Sequence, residues 1–220
     1  TEEHNPLKEL NYIDSVVCAL VNLTKGKGVK LPLQENHIRV CQYECEATML
    51  VEFAKYISQV DPDLFTGYNI DGFDWKYLFK RAKELGADDF FKHLGRDKFK
   101  TSWLKKAMFK SKAFGAKEDY SAQIEGRFSF DMMKYIFRSE KLRSYTLNNV
   151  SNEFLGDTKI EMPYELIPVY QNGTDEQRAH LCYYCYKDAE LCLQLMQNRM
   201  AFINGVEQSR VTGVPMDFLL

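Results

Sequence analysis

The stretch DPDLFTGYNIDGFDW, residues 61–75, decides how the chain is expected to fold. The Asp-Pro-Asp segment at 61–63 should stop a preceding helix, because the residue before a proline is biased away from helical backbone angles. Residues 64–69 resemble a short strand, and a turn then leads to Asp74, which begins a helix. This order is typical of an open α/β sheet, in which ligands gather where strands end.

The patterns on either side of this stretch predict further strands and helices. Residues 12–22 are nearly continuously apolar, as in a strand buried on both faces, residues 37–43 alternate, and residues 127–130 resemble a strand. Helical spacing predicts five helices, over residues 46–60, 74–85, 131–138, 147–155 and 175–204. The sequence therefore predicts one α/β domain over residues 1–220, with a mixed sheet flanked by helices.

Capping residues support the bounds of several of these helices. Leu78, Ala82 and Leu85 should share the buried face of the helix at 74–85, and Gly86 should cap its carboxyl end. Helix 147–155 has Thr146 before it and Gly156 after it. The last helix should start with a capping box formed by Thr174 and Gln177, and Gly205 should break it.

Composition bounds the class of protein. The 220 residues, 45% of them hydrophobic and 14% aromatic, are enough for one domain with a buried core. The formal net charge of −2 shows no overall basic character, so any binding to nucleic acid depends on local positive patches or on other domains. No run of about 18 apolar residues is present, so no membrane span is expected.

The cysteines form no regular framework and lie mostly in apolar runs. They are Cys18, Cys41, Cys45, Cys182, Cys185 and Cys192. Free thiols are expected, as in proteins of a reducing compartment. The pairs at 41 and 45 and at 182 and 185 fall in predicted regular structure without the glycines or prolines of a zinc knuckle, so zinc is not expected.

The last predicted helix carries a carboxylate on an otherwise apolar face. Helical spacing places Asp188 on one side together with Leu181, Tyr184, Cys185, Cys192 and Leu195. A carboxylate there needs compensation, from a metal ion or from a salt bridge to Lys or Arg, and periodicity does not distinguish the two. Tyr184, one turn earlier, can orient a metal-bound water, although an ordinary core tyrosine has the same spacing.

Asp74 is the second candidate carboxylate, since it begins a helix directly after a strand and a turn. Metal ions and ligands gather at strand ends of this kind. An acidic residue at the amino end of a helix is also favoured by the helix dipole alone. Asp71, three residues earlier, competes with Asp74 for any acidic role.

A basic segment separates the two candidate carboxylates. Residues 96–117 contain one acid, Asp97, and eight basic residues: Arg96, Lys98, Lys100, Lys105, Lys106, Lys110, Lys112 and Lys117. The interleaved aromatic residues are Phe99, Trp103, Phe109 and Phe114. Basic side chains contact phosphates and aromatic rings stack on unpaired bases, so the segment is a candidate for binding a single strand. A solvated lysine-rich loop with buried aromatics is the alternative.

Two motifs and several shorter matches together resemble the exonuclease region of B-family DNA polymerases. Residues 61–74 resemble the second exonuclease motif of that family, and YCYKDA at 184–189 resembles the third. Shorter matches lie at 126–127, 141–148, 154–156 and 210–215. They follow one another in consistent order from about residue 11 to residue 220.

This resemblance implies a ribonuclease-H-like fold and the metal-dependent removal of a mispaired 3′ nucleotide as a monophosphate. Asp74 and Asp188 would be ligands of Mg²⁺, for which Mn²⁺ can substitute, and Tyr184 would position the attacking water. Asn69 and Phe73 would shape the pocket. Two ions acting together need about four carboxylates, and the sequence supplies two.

The resemblance also implies a β-hairpin near 107–125, within a basic insertion at 96–125 and with its turn around Gly115. The candidates for DNA contact there are Trp103, Lys105, Lys106, Lys110 and Lys112. The hairpin would help move the primer end between active sites. Reversing the charges of Lys110 and Lys112 in the full-length enzyme should therefore weaken strand transfer.

The family's first motif, an Asp-x-Glu on the opening strand, is expected shortly before residue 11, whereas residues 1–10 contain Glu2, Glu3 and Glu9 but no Asp. We expect the sequence to begin just after that motif, with the first catalytic strand missing and little nuclease activity in the 220 residues alone. The alternative is a nuclease-like fold that has lost catalysis and serves as a DNA-binding or structural module.

The implied partners are the single-stranded 3′ primer end, the remaining polymerase domains and the accessory subunits of the holoenzyme. Residues 205–220 would lead toward the polymerase palm. The implied location is the nucleus, or the site of viral replication for a viral enzyme. No membrane is among the expected partners.

Overall fold

Helix α1, Glu46–Val60, ends where the Asp-Pro-Asp segment begins, as predicted, and strand β1, Leu64–Gly67, follows it. Asp61 takes left-handed backbone angles with φ at 51° and caps the helix by donating its N–H to the Ile57 carbonyl. The computed structural model of the protein describes residues 41, 43, 45–111, 115–158, 160 and 162–216, and for residues 107–119 the backbone alone. The predicted strand at 12–22 and most of that at 37–43 lie outside these residues.

The remaining elements alternate between helices and strands along the chain. They are a π-helical turn Ile70–Asp74, α2 Trp75–Glu84, α3 Asp88–His93, β2 Trp103–Ser111, β3 Gly115–Gln123, β4 Phe128–Asp131, α4 Met132–Ser139, α5 Leu147–Leu155, α6 Leu166–Gln171, α7 Asp175–Asn198 and α8 Ala201–Thr212. The α/β class is therefore confirmed. Among the described residues, no helix is long and apolar enough to cross a membrane.

Strands β1 and β4 pair in parallel, and their carboxyl ends lie side by side. The register places Gly67 opposite Asp131, and the Thr66 hydroxyl donates a 2.9 Å hydrogen bond to the Phe130 carbonyl. Successive side chains of a strand point to opposite faces. Phe65 accordingly packs into one apolar cluster, with α1, α2 and α3, while Phe130 belongs to a second, with α4, α5 and α7.

Strands β2 and β3 form an antiparallel hairpin that is separate from this parallel pair. Pairing runs from Trp103 opposite Gln123 to Ser111 opposite Gly115. Strand β3 packs against the π-helical turn, and both strands contact α2. Within the described residues the sheets are thus two small pairs, and they position the hairpin beside the turn that contains Asp74.

A buried arginine connects the start of β4 to two loops. The side chain of Arg127 is 1% exposed, and it donates hydrogen bonds to the carbonyls of Leu94 (2.8 Å) and Pro62 (2.5 Å). Its guanidinium also lies 2.9 Å from the Asp61 carboxylate. Buried carbonyl groups need donors of this kind, so Arg127 holds the entrance of β4 against the Asp-Pro-Asp segment.

Two predicted bounds around Asp74 were wrong. Strand β1 ends at Gly67 instead of residue 69, because Asn69 adopts left-handed angles with φ at 62°. The α-helix begins at Trp75, and its buried face consists of Trp75, Phe79 and Ala82. Leu78 and Leu85 are only partly buried and pack against the edge of the same apolar cluster.

The long carboxyl-terminal helix was also predicted incorrectly. The capping box of Thr174 and Gln177 is confirmed, but α7 ends at Asn198, and Met200 takes left-handed angles with φ at 49° before α8 begins. Gly205 does not break a helix. It lies buried inside α8, where an added Cβ atom would come within 3.1 Å of the Met216 sulfur, so this glycine permits close packing.

The other predicted helices correspond closely to the structure. Helix α5 has the predicted bounds, with Thr146 as its amino cap and Gly156 as its carboxyl cap. Strand β4 and helix α4 are each shifted by one residue from 127–130 and 131–138, because Asp131 ends the strand and caps the helix. The short helices α3 and α6 were not predicted, since six residues are too few to show helical periodicity.

Candidate active site

The turn between β1 and α2 carries four of the residues singled out from the sequence, Asn69, Asp71, Phe73 and Asp74. Its backbone follows a π-helix, in which the Trp75 N–H donates to the Ile70 carbonyl, and the Phe73 N–H donates to the Asn69 carbonyl at 3.0 Å. Short π-helical segments are frequent at functional sites. Asn69 begins this turn and Asp74 ends it, while the ring of Phe73 is 66% exposed between them.

Asp131, at the end of β4, binds the start of the same turn. Its carboxylate accepts hydrogen bonds from the N–H groups of Asn69 (2.9 Å) and Asp71 (3.4 Å), and from Met133 (2.9 Å) at the start of α4. The residue is 5% exposed. Burial raises the pKa of Asp131, an effect that the charge of Asp71 reinforces and these N–H donors oppose.

Asp71 is engaged in the structure and is not the accessible carboxylate of the turn. It is 6% exposed, and its carboxylate accepts a 3.0 Å bond from Lys134 of α4 and a 3.4 Å bond from the Ser129 hydroxyl of β4. The ammonium group compensates the buried charge. Of the two acids that competed in the sequence, Asp74 is therefore the one open to a ligand.

Asp74 combines exposure with partial loss of water around its carboxylate. The residue is exposed, yet neighbouring protein atoms displace enough water to raise the pKa of Asp74 to about 6, with a further contribution from the charge of Asp131. A nearby cation would offset both effects. Desolvation with continued access is the environment in which carboxylates bind metal ions.

Tyr184 and Asp188 lie together on α7 and form a hydrogen bond, as their spacing of one helical turn allows. Burial, followed by the negative charge of Asp188, raises the pKa of Tyr184 to about 12. The phenol therefore keeps its proton at neutral pH. The Asp188 Oδ1 atom is shielded from solvent, and both residues lie on the half-buried face that the sequence predicted.

Cys192 connects this face of α7 to the turn that carries Asp74. Helix α7 packs against β1, and Cys192, one turn after Asp188, forms a hydrogen bond with Thr66 of β1. Burial raises the pKa of Cys192 to about 12, and the charges of Asp131 and Asp74 contribute to that rise. The apolar face that bears Asp188 thus approaches the strand ends where Asp74 and Asp131 lie.

The donor atoms at these strand ends suit a hard cation. Asp74 and Asp188 offer carboxylate oxygens, the ligands that Mg²⁺ prefers in proteins. Across the ranges that the structure describes, no group of three or more His, Cys, Asp or Glu side chains is arranged to hold a metal ion. By the chemistry of their oxygen atoms, Asp74 and Asp188 are therefore candidate ligands that would need further partners to hold such a cation.

The hairpin presents some of the predicted DNA-contacting residues beside this site. Trp103 is 55% exposed and Lys105 and Lys106 are exposed, whereas the side chains of Lys110 and Lys112 lie outside the described part of the chain. The Lys106 ammonium is 6.0 Å from the ring centre of Tyr120, and that of Lys76 is 4.4 Å from it. Lys76 belongs to α2, so these contacts join the hairpin to the helix that follows Asp74.

Not every basic residue of segment 96–117 is available for phosphate. Arg96 binds the carboxylates of Asp61 (2.8 Å) and Asp63 (2.6 Å), and Lys100 binds Glu125 (3.0 Å). These pairs reduce the positive charge that the sequence suggested. Phe99, at 99% exposure, and Trp103 are not buried, so the alternative of aromatics tucked into a core does not hold for them.

Sequence reasoning missed Asp131, which it placed inside a helix without a role. The available signal was an acidic residue directly between a strand and a helix, which is typical of an amino-terminal cap. Its partners Asn69 and Asp71 lie 62 and 60 positions earlier in the chain. These contacts depend on the parallel pairing of β1 and β4, which local spacing does not reveal.

Comparison with known proteins identifies the class. The exonuclease-domain model of DNA polymerase family B matches residues 5–150. This match shows that the chain belongs to the B-family DNA polymerases and corresponds to their exonuclease domain.

Among the similar curated proteins are catalytic subunits of DNA polymerase delta. That of Caenorhabditis elegans is 39% identical over 219 residues, covering 94% of this chain and 20% of the relative. Those of Candida albicans and Schizosaccharomyces pombe are 43% and 44% identical, covering 93% and 83% of this chain and 21% and 17% of the relatives. The chain thus spans about a fifth of the length of the relatives it matches.

Proposed function

We propose that this chain is the 3′-to-5′ proofreading exonuclease part of a replicative B-family DNA polymerase, in a ribonuclease-H-like fold. The observation that carries the proposal is the approach of the Asp188 face of α7 to the turn of Asp74, through Cys192. The family match and the delta-type relatives support it independently.

In this proposal Asp74 and Asp188 hold Mg²⁺, for which Mn²⁺ can substitute. Two such ions, when bound, would activate a water and stabilise the leaving 3′ oxygen. Water attacks the terminal phosphorus, the bond to the penultimate 3′ oxygen breaks, and that oxygen takes up a proton as the nucleotide leaves as a monophosphate. Asp74, with a pKa of about 6, is mostly ionised at neutral pH and available as a ligand.

Tyr184 orients the attacking water in this proposal without acting as its base. A pKa of about 12 keeps the phenol protonated at neutral pH, so the hydroxyl can donate one hydrogen bond and accept another. Its bond to Asp188 fixes the direction in which the remaining lone pair points. A water placed there is positioned for in-line attack but loses its proton to another group.

Asn69 and Phe73 shape the pocket for the terminal nucleotide, and the hairpin guides the single strand toward it. The exposed ring of Phe73 offers a face on which a base can stack, as does that of Trp103. Lys105, Lys106, Lys110 and Lys112 would contact the phosphates. The substrate in this proposal is the frayed 3′ primer end. Neither base stacking nor phosphate contact depends on the sequence of that end.

The wider setting follows from the delta-type relatives. We propose that residues 205–220 lead toward a polymerase palm, that the enzyme works with accessory subunits, and that it acts in the nucleus. Residues 1–220 form a single exonuclease domain in this view, with the basic insertion at 96–125. Polymerisation itself would depend on parts of the protein beyond these residues.

Excision of a mismatched 3′ nucleotide by the full-length polymerase tests the function. Loss of a residue that only supports a metal ligand typically lowers activity roughly 10-fold to 100-fold. Asp74→Ala and Asp188→Ala remove the proposed ligands themselves, so each should lower the rate of monophosphate release by more than this. Glu153→Gln, at an exposed position of α5, serves as the matched control and should leave excision unchanged. Polymerisation from a paired primer should be unaffected in all three variants.

The competing hypothesis is a nuclease-like module that has lost catalysis, and the same experiment distinguishes it from an active exonuclease. Absence of Mg²⁺-dependent excision in the wild-type polymerase, with polymerisation intact, would favour a DNA-binding or structural role. Excision that survives both alanine substitutions would place the chemistry on other residues. The 220 residues alone should show little excision, and robust degradation of a 3′ single strand by them would contradict that expectation.

A further inference from the structure

Asp131 stands at the point where the two parallel strands end, and it joins them. Its carboxylate accepts the N–H groups of Asn69 and Asp71 from one side and that of Met133 from the other. These partners belong to the turn after β1 and to the first turn of α4. One side chain therefore fixes the distance between the turn that carries Asp74 and the end of β4.

The turn depends on an acceptor from outside itself. Asn69 has left-handed backbone angles, and the N–H groups of residues 69 and 71 precede the first hydrogen bonds of the π-helical turn, so neither has a partner within it. Buried N–H groups are nearly always satisfied. Asp131 supplies both acceptors at once, which selects one position of the turn relative to β4.

A second connection reinforces the same arrangement from the side chain of Asp71. It accepts hydrogen bonds from Lys134 on α4 and from Ser129 on β4, at 3.0 and 3.4 Å. Both of these donors, like the Asp131 carboxylate, thus come from the β4–α4 segment. Asp74 follows three residues later and has no capping hydrogen bond of its own side chain, so its place is set by the backbone that Asp131 holds.

We propose that Asp131 is a positioning residue for excision: it holds the turn from Asn69 to Asp74 so that the Asp74 carboxylate faces the Asp188 side of α7. It acts through the backbone and touches neither DNA nor the reacting atoms. The proposal rests on the proposed exonuclease function, in which Asp74 is a metal ligand. Loss of the tether should impair the chemical step more than the binding of DNA.

Asp131→Ser separates the tether from the helix cap in the full-length polymerase. A serine hydroxyl still caps α4 by accepting the Met133 N–H, but it is too short to reach the turn. We expect the excision rate at saturating DNA to fall about 10-fold to 100-fold, as for other groups that orient a metal ligand, with the KM for DNA changed less than about twofold. Direct Mn²⁺ binding should weaken in parallel.

Thr146→Ala is the matched control, because it removes the amino-terminal cap of α5 without touching the turn. It should leave the kcat for excision and Mn²⁺ binding unchanged. Asp131→Asn keeps one acceptor oxygen but turns an amide donor toward the turn, so it should show a smaller loss than the serine variant. If the serine variant does not fold, judged by lost polymerisation, the asparagine variant alone decides.

Two results separate failure of this inference from failure of the proposed function. If Asp74→Ala abolishes excision while Asp131→Ser retains wild-type kcat and Mn²⁺ binding, the positioning role is overturned and the function stands. Equal losses in Asp131→Ser and Thr146→Ala would also overturn it, because they would show a general effect of helix capping. If Asp74→Ala retains full excision, the function itself fails.

Discussion

At the scale of one residue, the environment that suits Asp74 to bind a metal ion also lowers the stability of the folded protein when no metal is bound. Its pKa of about 6 lies above the ordinary value because surrounding protein removes water and Asp131 adds negative charge. A carboxyl group with a raised pKa favours the folded state while protonated, and this contribution is lost as the pH rises through about 6. At neutral pH without metal, the ionised carboxylate is therefore a cost to stability.

Asp74→Asn should stabilise the protein at about pH 7.5 in the presence of a chelator, because the neutral amide avoids the unfavourable charge. Allowing for the exposure of the residue, we expect about 1 kcal/mol, seen as a higher Tm. Below about pH 4 the two proteins should have similar stability, since the aspartate is then protonated in both states. An equal difference at both pH values would contradict this explanation.

Asn69 and Gly72 show a second local constraint in the same turn. A Cβ atom at position 72 would lie 2.4 Å from the Asn69 Oδ1 atom, so any side chain there displaces the Asn69 amide. The glycine thus allows the turn to close around Asn69. We infer that Gly72 matters through the position of Asn69 and not through its own backbone freedom.

Among the elements, β4 connects the turn that carries Asp74 to the end of α1 and to the loop after α3. Its last residue, Asp131, holds the turn of Asp74, and the residue before the strand, Arg127, holds the end of α1 and the loop after α3. Four residues of strand therefore connect several loops through side chains at both ends. Such a strand is stable because each end satisfies buried carbonyl or N–H groups.

Arg127→Met should destabilise the chain by about 3 kcal/mol, because the carbonyls of Pro62 and Leu94 would lose their donor inside the protein. Urea denaturation, followed by tryptophan fluorescence, measures this change, since Trp75 is buried in the first apolar cluster. Arg143→Met, at an exposed position, is the matched control and should change stability by less than about 0.5 kcal/mol. A comparable loss in both variants would show that the buried contacts are not the cause.

Helix α7 illustrates what an element contributes to the site. Its capping box fixes where the helix begins, and its apolar face packs against β1 through Cys192 and on to the second cluster through Leu195. Asp188 and Tyr184 lie one and two turns before Cys192 and extend that face. Their direction is therefore set by the packing of residues that have no chemical role.

At the scale of the whole molecule, the hairpin packs against the turn that carries Asp74. Strand β3 packs against the π-helical turn, and the Tyr120 ring lies under the Lys76 ammonium of α2. Trp103 and Lys105 project from the base of the same hairpin into solvent. In the proposed function, a single strand would pass from the base of the hairpin to the turn of Asp74.

Trp103→Ala should weaken the binding of a single-stranded oligonucleotide by about 1–3 kcal/mol, because one base loses its stacking partner. Lys105→Ala should instead lower the slope of log affinity against log salt concentration by about 0.7, the effect of one phosphate contact. Fluorescence anisotropy at several salt concentrations measures both. Lys92→Ala, whose ammonium is paired with Asp89 on α3, is the control, and an equal effect of this variant would show that general charge alone governs binding.

The turn and the helical face that carry the candidate residues were identifiable from the sequence, because both are local features. Asn69, Phe73 and Asp74 lie in one turn, Tyr184 and Asp188 share one helical face, and the caps of α5 and α7 depend on neighbours within three residues. Local spacing determines such features. The same reasoning did not find the break at Met200, which takes left-handed angles although no glycine or proline marks the place.

Only the tertiary structure decided which acid is accessible and what holds it in place. Asp71 and Asp74 look alike in the sequence, but Lys134 from α4 engages one of them and leaves the other exposed. Asp131 acquires its role from a partner turn about 60 residues away, through the pairing of two parallel strands. Contacts at that separation arise from packing of the whole chain, which periodicity along the sequence does not encode.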